Sequence, residues 1–162
     1  SGILSKRILD GQVDDAFELA KKLKKEFKDD IYIELQGHYF PEQLRVNAVL
    51  SQIIDEYNIK PIVTTDAHYK SPRQHELHTA IKSISYGTKY GESGFSGNPT
   101  YCLLDSNKLK FEFLESNITK KQLEESMKNS MELADKCNGR MEKYGTIVPN
   151  FPIPEEFDET QI

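Results

Sequence analysis

Residues 62–69 read Ile-Val-Thr-Thr-Asp-Ala-His-Tyr, an apolar run that ends on an acid and an imidazole. The run from Ile62 to Thr65 predicts a buried strand. Residues two apart on extended backbone project to the same side, so we expect Asp66 and His68 to face one point where the strand gives way to a loop. Such a pair can hold one metal ion or polarise one water. Asp66 capping the next turn, with His68 hydrogen-bonded locally, explains the pattern equally well.

A second strand-like run lies upstream and also leads to a histidine. Residues 31–38 read Ile-Tyr-Ile-Glu-Leu-Gln-Gly-His, and alternation directs the isoleucines and the leucine to the core. Ligands gather at the carboxyl ends of strands in parallel α/β folds, so His38 can join Asp66 and His68 there. Taken alone, His38 is more simply a loop histidine. Glu34 is a candidate for the outer layer of the site, although a barrel-interior or solvent-facing role explains it more simply.

The segments around these strands predict helices. Residues 13–27 carry a stripe of Ala16, Ala20, Leu23 and Phe27 with acids near the start, which indicates an amphipathic helix. Pro41 begins a second helix that is expected to stop at Asn58. The resulting order of helix, strand, helix and strand, with short joints, predicts parallel strands in an α/β fold with flanking helices.

The C-terminal half predicts two further helices and a hairpin. Capping boxes at 71–74 and 119–122 each begin a helix. Two short strands at 99–104 and 109–114 are expected to pair as a small hairpin. Proline residues then predict an extended exit segment at 149–162, following a domain over residues 1–148. The expected buried stripes of the two helices are Leu77, Ala80, Ile81 and Ile84, and Leu123, Met127, Met131, Ala134 and Cys137.

The two remaining histidines follow the Asp66 motif on the first of these helices. His75 is expected to be exposed. His78 is expected to pack against the helix stripe or to hydrogen-bond to the strand ends, as a neighbour of the site rather than a direct ligand. Cys102 and Cys137 are expected to be small core residues, since no histidine lies nearby in sequence to activate them.

Composition limits the classes of function. The 162 residues suffice for one domain with a real core, and the formal net charge of -5 provides no overall basic field for nucleic acid. No apolar stretch approaches the length of a membrane span, and nothing resembles a signal peptide, so we expect no membrane association and a cytoplasmic location. The start at Ser1, without methionine and in mid-pattern, suggests a fragment.

Five stretches together resemble one family. They are similar to PHP (polymerase and histidinol phosphatase) domains of bacterial and phage DNA polymerase III alpha subunits. The resemblance extends over nearly the whole chain, in order and at the right separations. The stretches are residues 31–38, 41–47, 63–69, 132–138 and 151–154.

The resemblance implies part of a distorted (β/α)7 barrel whose strand ends hold several divalent metal ions, with Zn, Mn or Mg as candidates. His38, Asp66 and His68 would be three of the ligands. The family's other ligand motifs precede the segment that this chain matches, so the chain corresponds to the C-terminal half of a PHP domain. We therefore expect an incomplete metal site and little or no phosphoesterase activity from this chain alone.

In the intact protein the resemblance implies DNA replication, with the remainder of the PHP domain, the polymerase modules and DNA as partners. Exposed strand edges of a half-barrel also favour self-association. Two alternatives stay open. One is a PHP-derived scaffold that binds partner modules without catalysis, and the other is a stand-alone metallophosphoesterase of the same superfamily.

Overall fold

Among the described residues, three helices and a strand precede the second strand, and three helices follow it. The computed structural model describes residues 2–92, 100–143 and 145. The first five elements are α1 (Ile3–Leu9), α2 (Val13–Phe27), β1 (Tyr32–Gln36), α3 (Pro41–Tyr57) and β2 (Lys60–Thr64). They are followed by a 3-10 turn (Pro72–Gln74), α4 (His75–Tyr86), α5 (Ser106–Glu112) and α6 (Lys120–Lys136).

The two strands are parallel, and α3 is the crossover between them. The register runs from Tyr32 opposite Lys60 to Gln36 opposite Thr64, so both strands end at the same edge. Helix α3 begins at Pro41 and ends where Asn58 adopts the left-handed conformation. The predicted α/β order and parallel pairing are thus confirmed for the described residues, while β2 begins two residues earlier than the sequence indicated.

The apolar core lies between β1 and the first three helices. Ile33 and Leu35 of β1 are buried, as alternation predicted, and Ile53 of α3 is fully enclosed. Ala16 and Ala20 form the buried stripe of α2, but Phe27 at its end is half exposed. The buried apolar residues of this half are Ile8, Ala16, Ala20, Ile33, Leu35, Val46, Leu50, Ile53, Ile54 and Ile59.

The predicted hairpin is wrong, because residues 106–112 are helical. The Asp105 carboxylate accepts hydrogen bonds from the backbone N–H groups of Asn107 and Lys108, at 3.1 and 3.0 Å. An acid in this position starts a helix rather than a tight turn. Residues 100–104 run beside Tyr69 through one isolated parallel bridge at Cys102. The first residue of the predicted hairpin, Pro99, lies outside the described residues.

The predicted buried stripes of α4 and α6 are also largely wrong. Leu77, Ile81 and Ile84 are exposed on α4, while Thr79 and Ser83 are buried. Both buried hydroxyls donate to carbonyl groups one turn earlier in the helix, which satisfies them inside the protein. On α6 Leu123 is buried, but Met131, Ala134 and Cys137 are exposed, and Gln122 and Ser126 are buried in their place.

Polar residues of α6 face the outer edge of β2. The Ser130 hydroxyl lies 3.1 Å from the Val63 amide nitrogen, which donates to it, and 3.3 Å from the Val63 carbonyl oxygen. The Asn129 amide donates to the Pro61 carbonyl at 2.8 Å. Helix α6 therefore occupies the place of a third strand on this side. On the other side of the sheet, β1 pairs with no further strand among the described residues.

Two further sequence expectations concern membrane-spanning helices and the C-terminal exit segment. None of the described helices is long and apolar enough to span a lipid bilayer. The predicted exit segment 149–162 lies outside the described residues, so the division into domain and exit segment stays a prediction.

Candidate metal centre at the strand ends

The three predicted ligands follow the carboxyl ends of the two strands. His38 comes two residues after β1, while Asp66 and His68 lie in the loop that leaves β2. Asp66 has φ of +47°, a left-handed conformation that aspartate tolerates better than most side chains. This turn takes the chain out of the strand direction immediately before His68. Their common location at one end of the sheet agrees with the sequence expectation, but the extended backbone that was expected to carry Asp66 and His68 to the same side ends at Thr64.

His38 is buried, and one of its ring nitrogens lacks a partner. Its Nδ1 atom lies 3.3 Å from the Thr100 hydroxyl oxygen. Its Nε2 atom is buried without a hydrogen-bond partner among the described residues. Burial lowers the pKa of His38, and the nearby Asp66 carboxylate only partly opposes this shift. In the tautomer in which Nδ1 donates to the Thr100 hydroxyl, the neutral His38 ring presents on Nε2 the lone pair that a metal ion binds.

His68 has a defined tautomer. Its Nδ1 atom lies 2.6 Å from the Asp66 carbonyl oxygen, which can only accept, so Nδ1 carries a proton. The Asp66 carboxylate is further away, at 4.0 Å from the same nitrogen. In its neutral form the ring therefore presents the lone pair on Nε2. Metal-binding histidines commonly donate their second ring N–H to a carbonyl or carboxylate in this way.

Tyr101 lies between the two histidines, and the sequence did not single it out. Its ring centroid is 4.6 Å from that of His38 and 5.2 Å from that of His68. Burial, and then the charge of Asp66, raise the pKa of the Tyr101 hydroxyl. Tyr101 belongs to no motif and comes from the segment mistaken for a hairpin strand, so no sequence signal could have found it.

The remaining histidines extend this set of rings. The His78 ring lies 5.5 Å from that of His68 and 5.4 Å from that of Tyr69, and His75 lies 6.2 Å from Tyr69. Burial, followed by the charges of His68 and Lys82, lowers the pKa of His78. The structure thus places His78 beside a candidate ligand, while its role in orienting that ligand stays a prediction.

Glu34 lies on the polar face of the sheet. Its carboxylate accepts a hydrogen bond from the Thr64 hydroxyl at 2.6 Å, and the Gln36 amide donates to that hydroxyl at 3.4 Å. Glu34 and Asp66 line the same open cavity of about 500 Å³. Glu34 therefore lies near the strand ends and is hydrogen-bonded to Thr64 of β2. Its participation in a metal site stays a prediction.

Glu112 is a further acid that the sequence analysis missed. It is the last residue of α5, and its Oε2 atom is buried without a hydrogen-bond partner among the described residues. Burial raises the pKa of its carboxyl group. Together with Gly37, His38 and Thr64 it lines a narrow space beside the strand ends. The hairpin expectation concealed it, because a strand would have placed this side chain elsewhere.

The donor chemistry fits a divalent metal, but the site is incomplete. Two imidazoles and a carboxylate suit Zn or Mn. The Nε2 atom of His38, which has no hydrogen-bond partner among the described residues, is available as a ligand atom for such an ion. However, within residues 2–92 and 100–143 no three histidine, cysteine or acidic side chains converge closely enough to hold a metal ion. The described residues can therefore supply part of a coordination shell.

Several curated proteins are similar to this chain. It is 29% identical to DNA polymerase III subunit alpha of Aquifex aeolicus over 90% of its length, and 29% identical to that of Treponema pallidum over 99%. It is also 28% identical to the DNA-directed DNA polymerase of Bacillus phage SPbeta over 78% of its length. The chain spans 13% of the first two relatives and 9% of the third. No protein-family model matches it.

Proposed function

Since the chain is homologous to one segment of DNA polymerase III alpha subunits, we propose that it is the C-terminal half of a PHP-type domain in a protein of DNA replication. The two parallel strands would be neighbours in a distorted (β/α)7 barrel. The observation that supports the proposal is that His38, Asp66 and His68 all follow the carboxyl ends of two paired parallel strands, in a chain with these relatives.

In this proposal His38, Asp66 and His68 provide part of a divalent metal site. His38 offers Nε2 from a buried position while Thr100 bonds to Nδ1, and His68 offers Nε2 while the Asp66 carbonyl accepts from Nδ1. A bound metal would activate water and neutralise phosphate charge during phosphoester hydrolysis. The missing donors would come from the remainder of the domain, so this chain alone binds metal weakly and hydrolyses phosphoesters slowly or not at all.

The free edge of β1 is the proposed contact with that remainder. Side chains of α6 already bond to the outer edge of β2, at Pro61 and Val63. Of the two sheet edges that the described residues form, β1 is therefore the one at which further strands can add, and an apolar groove of about 460 Å³ lies there between the strand and helices α1 and α2. In the isolated chain, a second copy can occupy this edge instead, which would give self-association.

Calorimetric titration with Zn²⁺ and Mn²⁺ tests the metal site. We expect saturable binding of one ion by the chain, and loss of binding in His68→Ala and in His38→Ala. His75→Ala is the matched control, because it removes an imidazole that contacts the Tyr69 ring and is not one of the proposed ligands, and it should bind like the wild type. Binding that survives both ligand substitutions would contradict the assigned residues.

Turnover of p-nitrophenyl phosphate and of single-stranded DNA in the presence of Mn²⁺ tests the incomplete site. Weak or absent turnover is expected, because a multinuclear cluster needs more donors than the described residues supply. Rapid turnover that His68→Ala abolishes would instead favour a stand-alone metallophosphoesterase.

A non-catalytic scaffold is the second candidate function. It is favoured by the absence of a converged three-ligand group among the described residues. Under this alternative the chain would bind neither Zn²⁺ nor Mn²⁺, yet it would still pair through the edge of β1. A titration without heat from either metal would therefore support the scaffold over the metal site.

A further inference from the structure

We infer that Tyr101 is a positioning residue that holds His38 and His68 at a fixed separation across the strand ends. The inference rests on the proposed metal site, in which these two histidines are ligands. Among the described residues, Tyr101 is the aromatic side chain whose ring contacts both of them.

The two histidines need such a bridge because they belong to different segments. His38 follows β1, and His68 follows β2 by four residues. The Tyr101 ring meets the His38 ring nearly edge-on, with an interplanar angle of 74°, and lies tilted at 43° to the His68 ring. Aromatic rings at these separations attract one another, so each imidazole is restricted by the same side chain.

The backbone around Tyr101 anchors it to the loop after β2. Its carbonyl accepts hydrogen bonds from the amides of His68, at 2.9 Å, and Tyr69, at 3.3 Å. The Leu103 amide in turn donates to the Tyr69 carbonyl at 3.2 Å. The preceding residue, Thr100, provides the hydroxyl beside His38 Nδ1. One short segment therefore supports both candidate ligands.

The ring of Tyr101, rather than its hydroxyl, performs this role. No hydrogen bond joins the hydroxyl to another side chain in the described part of the protein. A phenylalanine retains the ring contacts with both imidazoles, whereas an alanine removes them. The backbone hydrogen bonds of residue 101 remain available to both variants, so the comparison isolates the ring.

Zn²⁺ titration of Tyr101→Ala, Tyr101→Phe and the wild-type chain tests the inference. Loss of a group that orients metal ligands typically weakens affinity by about 10- to 100-fold, and we expect a loss of this size in Tyr101→Ala. Tyr101→Phe should bind like the wild type, since the orienting ring is kept. Tyr90→Ala, which removes an exposed tyrosine, is the matched control and should leave affinity unchanged.

A metal-free measurement separates this inference from the proposed function. Long-range ¹H–¹⁵N spectra of the imidazoles report which ring nitrogen carries the proton. In the wild type and in Tyr101→Phe, His38 and His68 should hold their protons on Nδ1, and in Tyr101→Ala this preference should weaken at both. Failure of the wild type to bind Zn²⁺ would refute the metal site and the positioning of ligands with it. Normal Zn²⁺ binding and unchanged imidazole spectra in a folded Tyr101→Ala would refute the inference alone.

Discussion

The two halves of this chain bury different kinds of residue. In residues 2–59 the interior is mostly apolar, with Ile33, Leu35 and Ile53 enclosed between a strand and three helices. After residue 60 the helices bury Leu123 but mostly polar side chains such as Thr79, Ser83 and Ser126, and they expose most of their leucine, isoleucine and methionine side chains. The difference shows that an amphipathic pattern predicts a buried face only where the chain also provides the apolar surface that covers it.

The attachment of the second half explains this contrast. Helix α6 meets the edge of β2 rather than its face, so it must satisfy backbone amides and carbonyls. Ser130 and Asn129 do this at Val63 and Pro61. Apolar side chains in these positions would leave buried polar groups without partners, at a cost of about 1–3 kcal/mol each.

The largest expected effect is a cavity in the first half. Ile53→Ala removes a fully buried side chain and should lower the free energy of unfolding by about 3 kcal/mol, because both burial and packing are lost. Ile84→Ala is the matched substitution in the second half, where the side chain is 81% exposed, and should change stability by less than about 0.5 kcal/mol. Urea denaturation measures both. Equal losses in the free energy of unfolding would contradict the difference in burial between the two halves.

A substitution at Gly37, where the two halves meet, should lower the free energy of unfolding by less than Ile53→Ala does. A Cβ atom on Gly37 would lie 2.8 Å from the Phe113 ring and 3.1 Å from the Glu112 carbonyl oxygen. Gly37→Ala should therefore destabilise the protein by about 1–3 kcal/mol through overpacking. Gly139→Ala, which meets nothing within 4 Å, is the control. Thermal unfolding measures both variants, and the melting temperature should fall in Gly37→Ala only. Equal melting temperatures would show that the end of α5 does not approach β1 this closely.

The hydrogen bond between Ser130 of α6 and the edge of β2 should stabilise the folded state by about as much as one ordinary hydrogen bond. Ser130→Ala removes the hydroxyl that accepts from the Val63 amide, and the expected loss is about 1 kcal/mol. Ser85→Ala on the exposed face of α4 provides the same chemical change without that partner. Amide hydrogen exchange at Val63 should accelerate in the first variant only. Unchanged exchange there would mean that α6 does not protect the edge.

The smallest effect is expected at an ion pair that joins α6 to the start of β2. Lys60 Nζ lies 2.6 Å from Glu132 Oε1, and this hydrogen bond lowers the pKa of Glu132. A lowered carboxyl pKa stabilises the folded state above the unfolded-state value, and the stabilisation disappears as pH falls through the folded-state value. Melting temperatures of the wild type and Glu132→Gln should therefore differ slightly near neutral pH and converge as the pH falls below the ordinary glutamate pKa and through the lowered pKa of Glu132.

Glu124→Gln is the control for this ion pair. Glu124 lies 3.9 Å from Lys120 in an exposed pair along α6. Its replacement should have no measurable pH-dependent effect. A constant difference between the wild type and Glu132→Gln at all pH values would show that the Lys60 contact does not depend on ionised Glu132.

Local sequence signals predicted most elements of the fold. The capping residues at Ser71 and Thr119, the stop at Asn58 and the alternation around Ile33 each depend on neighbours within a few residues. The placement of His38 and Asp66 at one edge followed from strand order in parallel folds. The hairpin prediction was wrong because Asp105 has both turn and helix-capping propensity. Its carboxylate accepts a hydrogen bond from the Asn107 amide, which favours the helix.

The sequence by itself determined the order of helix, strand, helix and strand from α2 to β2 and the two segments that carry the candidate ligands, since both depend on short-range hydrogen bonding and hydrophobic period. Only the tertiary structure decided which helix faces are buried and that Tyr101 contacts His38 and His68. Burial depends on which surfaces meet in space. A residue whose role comes from two contacts more than thirty positions away leaves no local pattern.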